Sequence, residues 1–218
     1  MIISDSTNFR EIYMGRIAAG KLYRSNHPVY KGKQVKEVIL AASKVKIKSV
    51  INLCDNMQSL QSKVTHCPWY KKILDNTNAA ALNISMSFQI MEEDFCKKIH
   101  DGIMFITEHE PPYLIHCEAG IDRTGFFSIL LESFMGARID DMAKDYMASF
   151  TESDVYSEND HRSGITFVSN LFTTIKGDLI APDEDLQLLA QSYLRESIGI
   201  NDDALGILKN KLAKEKDT

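Results

Sequence analysis

The chain has 218 residues, 44% of them hydrophobic and 25% charged, with a formal net charge of −5. That length suits one sizeable core, with or without a small helical appendage, and the acidic balance excludes a broad electrostatic footprint for nucleic acid. An anionic ligand would have to be held by a local cluster of donors. The four cysteines (Cys54, Cys67, Cys96, Cys117) form no CxxC pair and the six histidines no HxxxH pair, so no metal-ligand spacing is present and a reducing compartment fits best. No apolar run approaches the length of a membrane span, and "MIISDSTNFR" lacks the basic and apolar regions of a signal peptide. The expected location is cytoplasmic, although an exported mature form would look the same.

In chain order, "AGKLYRS" (19–25) has the alternation of a short strand, and "KGKQVKEVILAASKVK" (31–46) spaces Val35, Val38, Ile39 and Ala42 as a helix does. "IKSVINLC" (47–54) is β-branched and apolar and predicts a buried strand. A polar helix-like stretch follows, then Pro68 with the aromatic pair Trp69 and Tyr70. "NAAALNIS" (78–85) is a further candidate strand, and Phe95, Ile99, Ile103 and Ile106 make one helical stripe that ends at two prolines. "YLIHC" (113–117) predicts a short apolar strand, and "RTGFFSILLESFMGA" and "RIDDMAKDYMASF" predict helices. The remainder is helical in pattern, closing on the amphipathic "DDALGILKNKLAKEK" with a solvated Lys/Glu face. The sequence therefore predicts an α/β fold: one domain over 1–218, with a central, mainly parallel sheet flanked by helices in a core to about residue 177 and a helical C-terminal extension over about 178–218. Residues 149–164 could form a lid or simply join two helices.

The segment "LIHCEAGIDRTG" (114–125) carries the chemistry. Strand, loop and helix follow in that order, and ligands of α/β sheets collect at the carboxyl ends of strands. Residues Glu118, Ala119, Gly120, Ile121, Asp122 and Arg123 supply successive backbone N–H groups with no proline among them. Gly120 permits a tight turn, and a helix is expected from about Arg123. A row of N–H groups at a helix start is an anion nest, to which Arg123 adds a planar fork for two oxygens of a tetrahedral anion. The same dipoles and guanidinium favour the thiolate of Cys117. A thiolate beside a captured phosphoryl group can attack phosphorus, and the Thr124 hydroxyl could donate to the sulfur as it departs. Gly125 would keep the helix start clear for close packing. The bland alternative is a buried strand and turn with Cys117 as a small hydrophobe.

"HCEAGIDRTG" resembles the H-C-x5-R-[ST]-G signature of the cysteine-dependent protein tyrosine phosphatase superfamily, residue for residue at His116, Cys117, Arg123, Thr124 and Gly125. "TNFRE", "GKLYRS" and "SVINLCDN" further resemble the NFRD, LYRS and V-x-D-L-R-like elements of its bacterial tyrosine phosphatases, over roughly residues 7 to 150. The resemblance implies a phosphatase fold that uses no metal and no cofactor, and hydrolysis of phosphotyrosine through a phosphocysteine. Dual specificity, a phosphoinositide or inositol-phosphate substrate, and a non-catalytic phosphate-binding module are the alternatives; rhodanese-type sulfur transfer is disfavoured by the Arg-Thr-Gly helix start. Partners are thus a phosphorylated protein or a phosphorylated small molecule or lipid headgroup.

No WPD loop occurs. The bacterial subgroup carries an aspartate immediately before the loop arginine, which places the general acid at Asp122; the plainer role for that residue is an N-cap. Asp55 is the second candidate acid, with a turn role as its default. The subgroup often has lysine where Ile121 stands, and that lysine goes with phosphoinositide activity, so Ile121 favours phosphotyrosine. Glu118 is tolerated in inositol-phosphate phosphatases that share "HCEAG". His116 is expected to support the loop, and Arg10 and Arg24 to tie the N-terminal segment to the domain. "INLC" resembles the strand end of tensin-type phosphatases, which makes Cys54 a candidate redox partner of Cys117. Cys67 and Cys96 are expected to be packing residues.

Overall fold

The computed structural model describes residues 7–29, 34–87, 89–150 and 157–213. The five-stranded sheet has the order β1-β2-β5-β3-β4, formed by β1 (Arg10–Ile12), β2 (Leu22–Ser25), β3 (Ser49–Asn52), β4 (Ala79–Ala81) and β5 (Tyr113–His116). Only β1 runs antiparallel, against β2; every other pairing is parallel. The expected α/β class holds, with one difference: β1 is an edge strand built from "REI", too short and too polar to show in the sequence pattern.

β5 is the central strand, and both of its faces are covered. Tyr113, Ile115 and Cys117 belong to one apolar cluster and Leu114 to the other, as expected when parallel strands lie between helical layers. The second cluster holds side chains of α1 (Gln34–Lys44), α2 (Met57–Val64) and α3 (Pro68–Asp75). The first holds those of α4 (Glu93–Glu108), α5 (Asp122–Phe134), α6 (Ile139–Met147) and α7 (Glu158–Lys176). It continues into α8 (Leu186–Ser192), its π-helical extension (Tyr193–Ser197) and α9 (Asp202–Leu212). Helices α8 and α9 pack on α5 and α4 through Ala190, Leu205, Leu208 and Leu212, all buried. Each such leucine contributes about 1.5–3 kcal/mol when fully buried, so the C-terminal helices share the core of the sheet.

Helix α5 is buried almost all round, from Arg123 to Phe134. That explains why its sequence is apolar without a clear stripe: it lies between the sheet and the outer helices. Helix α7 begins with a capping box in which Ser157 and Asp160 bond reciprocally. Of the segment 149–164, residues 151–156 lie outside the described residues, as do 31–33 of the first predicted helix and 214–216 of the last.

Candidate active site

The register of the parallel strands brings three carboxyl ends together. Ser25 of β2 and Asn52 of β3 both lie beside His116 of β5, so the chain after each strand emerges around Cys117. The loop from Cys117 to Ile121 is then pinned from outside. The backbone N–H of His27 donates to the carbonyl of Glu118 at 3.1 Å, Asn8 Nδ2 to that of Ala119 at 2.9 Å, and Arg24 Nη2 to that of Gly120 at 2.9 Å. With these three carbonyls held outward, the N–H groups of residues 118 to 124 donate to no protein acceptor among the described residues. Unspent backbone donors that converge at a helix start form an anion nest.

Gly120 makes that path sterically feasible. Its φ is +74°, and a Cβ there would lie 2.5 Å from the carbonyl oxygen of Ser25. Gly125 sits in the first turn of α5 under the ring of Tyr146, where a Cβ would approach to 2.8 Å. Tyr146 in turn stacks on Phe167 at 3.8 Å.

Cys117 is buried, as are Arg123 and Thr124 behind it. Arg123 Nη1 donates to the carbonyl of Ile84 at 3.0 Å, while its Nε and the Thr124 hydroxyl are buried with no partner among the described residues. Both are donors of the kind a bound tetrahedral anion or a sulfur anion would engage. The helix begins one residue earlier than expected: Ile121 occupies the N-cap and Asp122 is the first helical residue, with no side-chain cap bond. Asp122 and Glu118 are exposed and Ile121 half-buried, so two carboxylates stand on the rim.

Beneath the loop runs a polar relay. The ring of His116 points Nδ1 at the carbonyl of Cys117 at 3.3 Å and Nε2 at the Tyr70 hydroxyl at 2.8 Å. A carbonyl only accepts, so Nδ1 carries the proton and Nε2 receives the tyrosine hydrogen. Burial, reinforced by His27, pushes His116 well below its ordinary value and keeps it neutral. His27 receives the N–H of Val29 on Nδ1 and donates from Nε2 to Asp55 at 2.7 Å. Asp55 also accepts from Asn52, Ser59 and Lys63. Burial alone would raise this carboxyl, but bonds from His27, Lys63 and Asn52 outweigh it and hold Asp55 well below the usual carboxylate range. A carboxylate so fully committed is an anchor for the loop after β2, and a poor proton donor.

Cys54 is half-buried and donates its thiol to Asn52 Oδ1 at 3.3 Å. Burial and the charge of Asp55 push it up to about 12, with Cys117 close enough to add to the effect. The side chains of His27, Cys54 and His116 gather, with ligand atoms within 4.8 Å of one another. Each ring nitrogen already has a hydrogen-bond partner and the thiol is held protonated, which suits a hydrogen-bonded support better than a metal cage. Cys67 and Cys96 are buried in the two apolar clusters.

Several of these residues carry no motif of their own. His27 lies just past "RSN" and acts through its backbone, Asn8 opens the "NFR" element without showing that it reaches the loop, and Tyr70 stands more than forty residues from the ring it contacts. Asp145 lies in a helix that the sequence marks only as amphipathic. Only the folded chain shows them converging.

A model of the tyrosine phosphatase family matches residues 3–214. The chain belongs to that family. Among solved structures, this phosphatase chain is similar to the core catalytic domain of the PP-IP phosphatase SIW14 from S. cerevisiae in complex with citrate. The identity is 15% and the TM-score 0.46, covering 81% of this chain and 94% of that one. A second structure of the Siw14 catalytic core gives 13% identity and a TM-score of 0.46 over 88% of this chain and 94% of the other. No curated protein matches the chain.

Proposed function

We propose that the protein hydrolyses phosphotyrosine through a phosphocysteine formed on Cys117. The observation that carries this is the pinned loop: three successive carbonyls are bonded outward, leaving the N–H groups of 118 to 124 for an anion beside the thiol. Cys117 sulfur attacks phosphorus and forms an S–P bond while the P–O bond to the tyrosine breaks. Asp122, on the rim, gives a proton to the departing phenolate. Water then attacks the phosphocysteine, Asp122 takes up its proton, and Thr124 donates to the sulfur as the S–P bond breaks. Arg123 and the loop amides hold the charge of the transferring group throughout. Cys54 is the candidate thiol to trap an oxidised Cys117.

The rim favours a single phosphomonoester over a polyphosphorylated ring. Glu118 and Asp122 place two exposed carboxylates beside the nest, and Ile121 adds no cation; clustered phosphates would meet repulsion there. The test is phosphate release from a phosphotyrosine peptide, para-nitrophenyl phosphate and inositol polyphosphates at equal phosphate concentration. Turnover of the peptide at least tenfold faster than the inositol compounds supports the proposal, and the reverse preference overturns it. Cys117→Ser should abolish turnover yet still bind phosphate; orthovanadate binding by the wild type with no phosphate release would mark a phosphate-binding module.

A further inference from the structure

Arg10 and Arg24 are direct cross-strand partners in the antiparallel β1–β2 pair. Like charges so placed repel, and here they are drawn into the interior, with Arg24 fully buried. Asp145 of α6 resolves the conflict. Its Oδ1 accepts from Arg10 Nε at 2.8 Å, its Oδ2 pairs with Arg24 Nη1, and its backbone carbonyl accepts from Arg10 Nη2 at 2.7 Å. Ser149, one turn on, accepts from both arginines, at 2.8 Å from Arg10 and 3.2 Å from Arg24. A second buried carboxyl, Glu132, stands nearby with neither oxygen bonded among the described residues, and burial pushes it well above its usual value. Asp145 is therefore the anion that balances the pair: burial would raise it, but Arg10 and Arg24 hold it down.

What makes this more than a structural ion pair is the other end of Arg24. With Nη1 fixed on Asp145, its Nη2 is aimed at the carbonyl of Gly120 at 2.9 Å. Arg24 bonds the loop directly, whereas Arg10 meets it only at one remove, through the carbonyl of Asn8 at 3.4 Å. We propose that Asp145 is a positioning residue for the anion nest: through Arg24 it holds the Gly120 carbonyl outward and the loop amides inward, so that α6 sets the geometry in which phosphate is bound. The inference rests on the loop being an anion site, and it is read from affinity so that it stands apart from turnover.

The experiment compares orthovanadate affinity and para-nitrophenyl phosphate kcat/KM in Asp145→Asn, Arg24→Gln, the double variant and Arg10→Met, each checked for native circular dichroism. Asp145→Asn should weaken orthovanadate binding about tenfold and lower kcat/KM about 100-fold, the scale of a small misplacement of catalytic groups. Because Asp145 acts through Arg24, the double variant should lose no more than Arg24→Gln alone. Arg10→Met, which removes bonds to Asp145 and Asn8 but leaves Arg24 on the Gly120 carbonyl, should weaken orthovanadate less than Asp145→Asn does. Where Asp145→Asn does not fold, Asp145→Glu, which keeps the anion but displaces it, should weaken orthovanadate to an intermediate degree. Unchanged affinity in the folded Asp145 variants, or losses that multiply in the double variant, would overturn the proposal. A wild type that binds no orthovanadate removes both this inference and the proposed function; one that binds it without turnover removes only the latter.

Discussion

Tyr70 and His116 share a hydrogen bond of 2.8 Å across 46 residues of chain, joining α3 to the last residue of β5, next to the thiol-bearing Cys117. The bond requires a neutral imidazole, and that requirement has a signature in stability. The unfolded chain binds a proton at this histidine near pH 6.5, whereas the folded chain, with its value depressed by burial and by His27, does not. The contribution is complete above about pH 6.5 and declines as pH falls toward the folded value. Between pH 7.5 and 5.5 the wild type should lose about 1 kcal/mol more unfolding free energy than His116→Gln, measured by urea denaturation. Asp55 loses its stabilising role only at lower pH, below the ordinary carboxylate value, so it does not enter this window. Parallel pH profiles for the two proteins would contradict the neutral-histidine account.

Two glycines with positive φ separate backbone strain from steric contact. An alanine at Gly20 (φ +78°) meets nothing within 4 Å among the described residues, whereas one at Gly120 (φ +74°) meets the Ser25 carbonyl at 2.5 Å. Both should cost about 1–2 kcal/mol of left-handed strain. Only Gly120→Ala should also distort the nest, lowering kcat/KM for para-nitrophenyl phosphate about 100-fold, while Gly20→Ala stays within about threefold. Equal activities would mean that the loop path is not essential.

A proton donor matters in proportion to the basicity of the leaving group. Asp122→Asn should cost about tenfold with para-nitrophenyl phosphate and about 1,000-fold with phenyl phosphate, within the usual span for general acid catalysis. Equal losses on both substrates would place the acid elsewhere; the bonding of Asp55 makes it a weak replacement.

Cys54 bears on oxidation. After peroxide converts Cys117 to its sulfenic acid, attack by Cys54 would form a disulfide and release water. A thiol held near 12 is mostly protonated at neutral pH, so trapping should be slow, over minutes rather than seconds. Peptide mapping after graded peroxide should show a 54–117 linkage that Cys54→Ser abolishes. Direct passage of Cys117 to higher oxides with no such linkage would exclude a protective role.

The thiol, the arginine and the loop between them were legible because the chemistry is local: strand, nest and helix start lie within twelve residues. The sheet was legible too, because buried parallel strands are short apolar runs. The support was legible only in part. Arg24 and His116 were expected to tie and support the loop, but the reach of Asn8 and His27 to it, and of Asp145 to Arg24 across 121 residues, holds carbonyls and charges in place and leaves no periodicity. β1 escaped for a related reason, since a three-residue polar edge strand is defined by its pairing with β2. Asp55 shows the limit most clearly: from sequence it is a turn residue or an acid, and only its four bonded neighbours identify it as an anchor.

The account depends most on a sulfur anion at Cys117 held by the loop amides and Arg123. Timed labelling with iodoacetate at pH 7, read by peptide mapping with and without orthovanadate, tests this directly. Selective carboxymethylation of Cys117 ahead of Cys54, Cys67 and Cys96, blocked by orthovanadate, is the predicted result. Labelling of Cys117 no faster than the other three, or unaffected by orthovanadate, would contradict it.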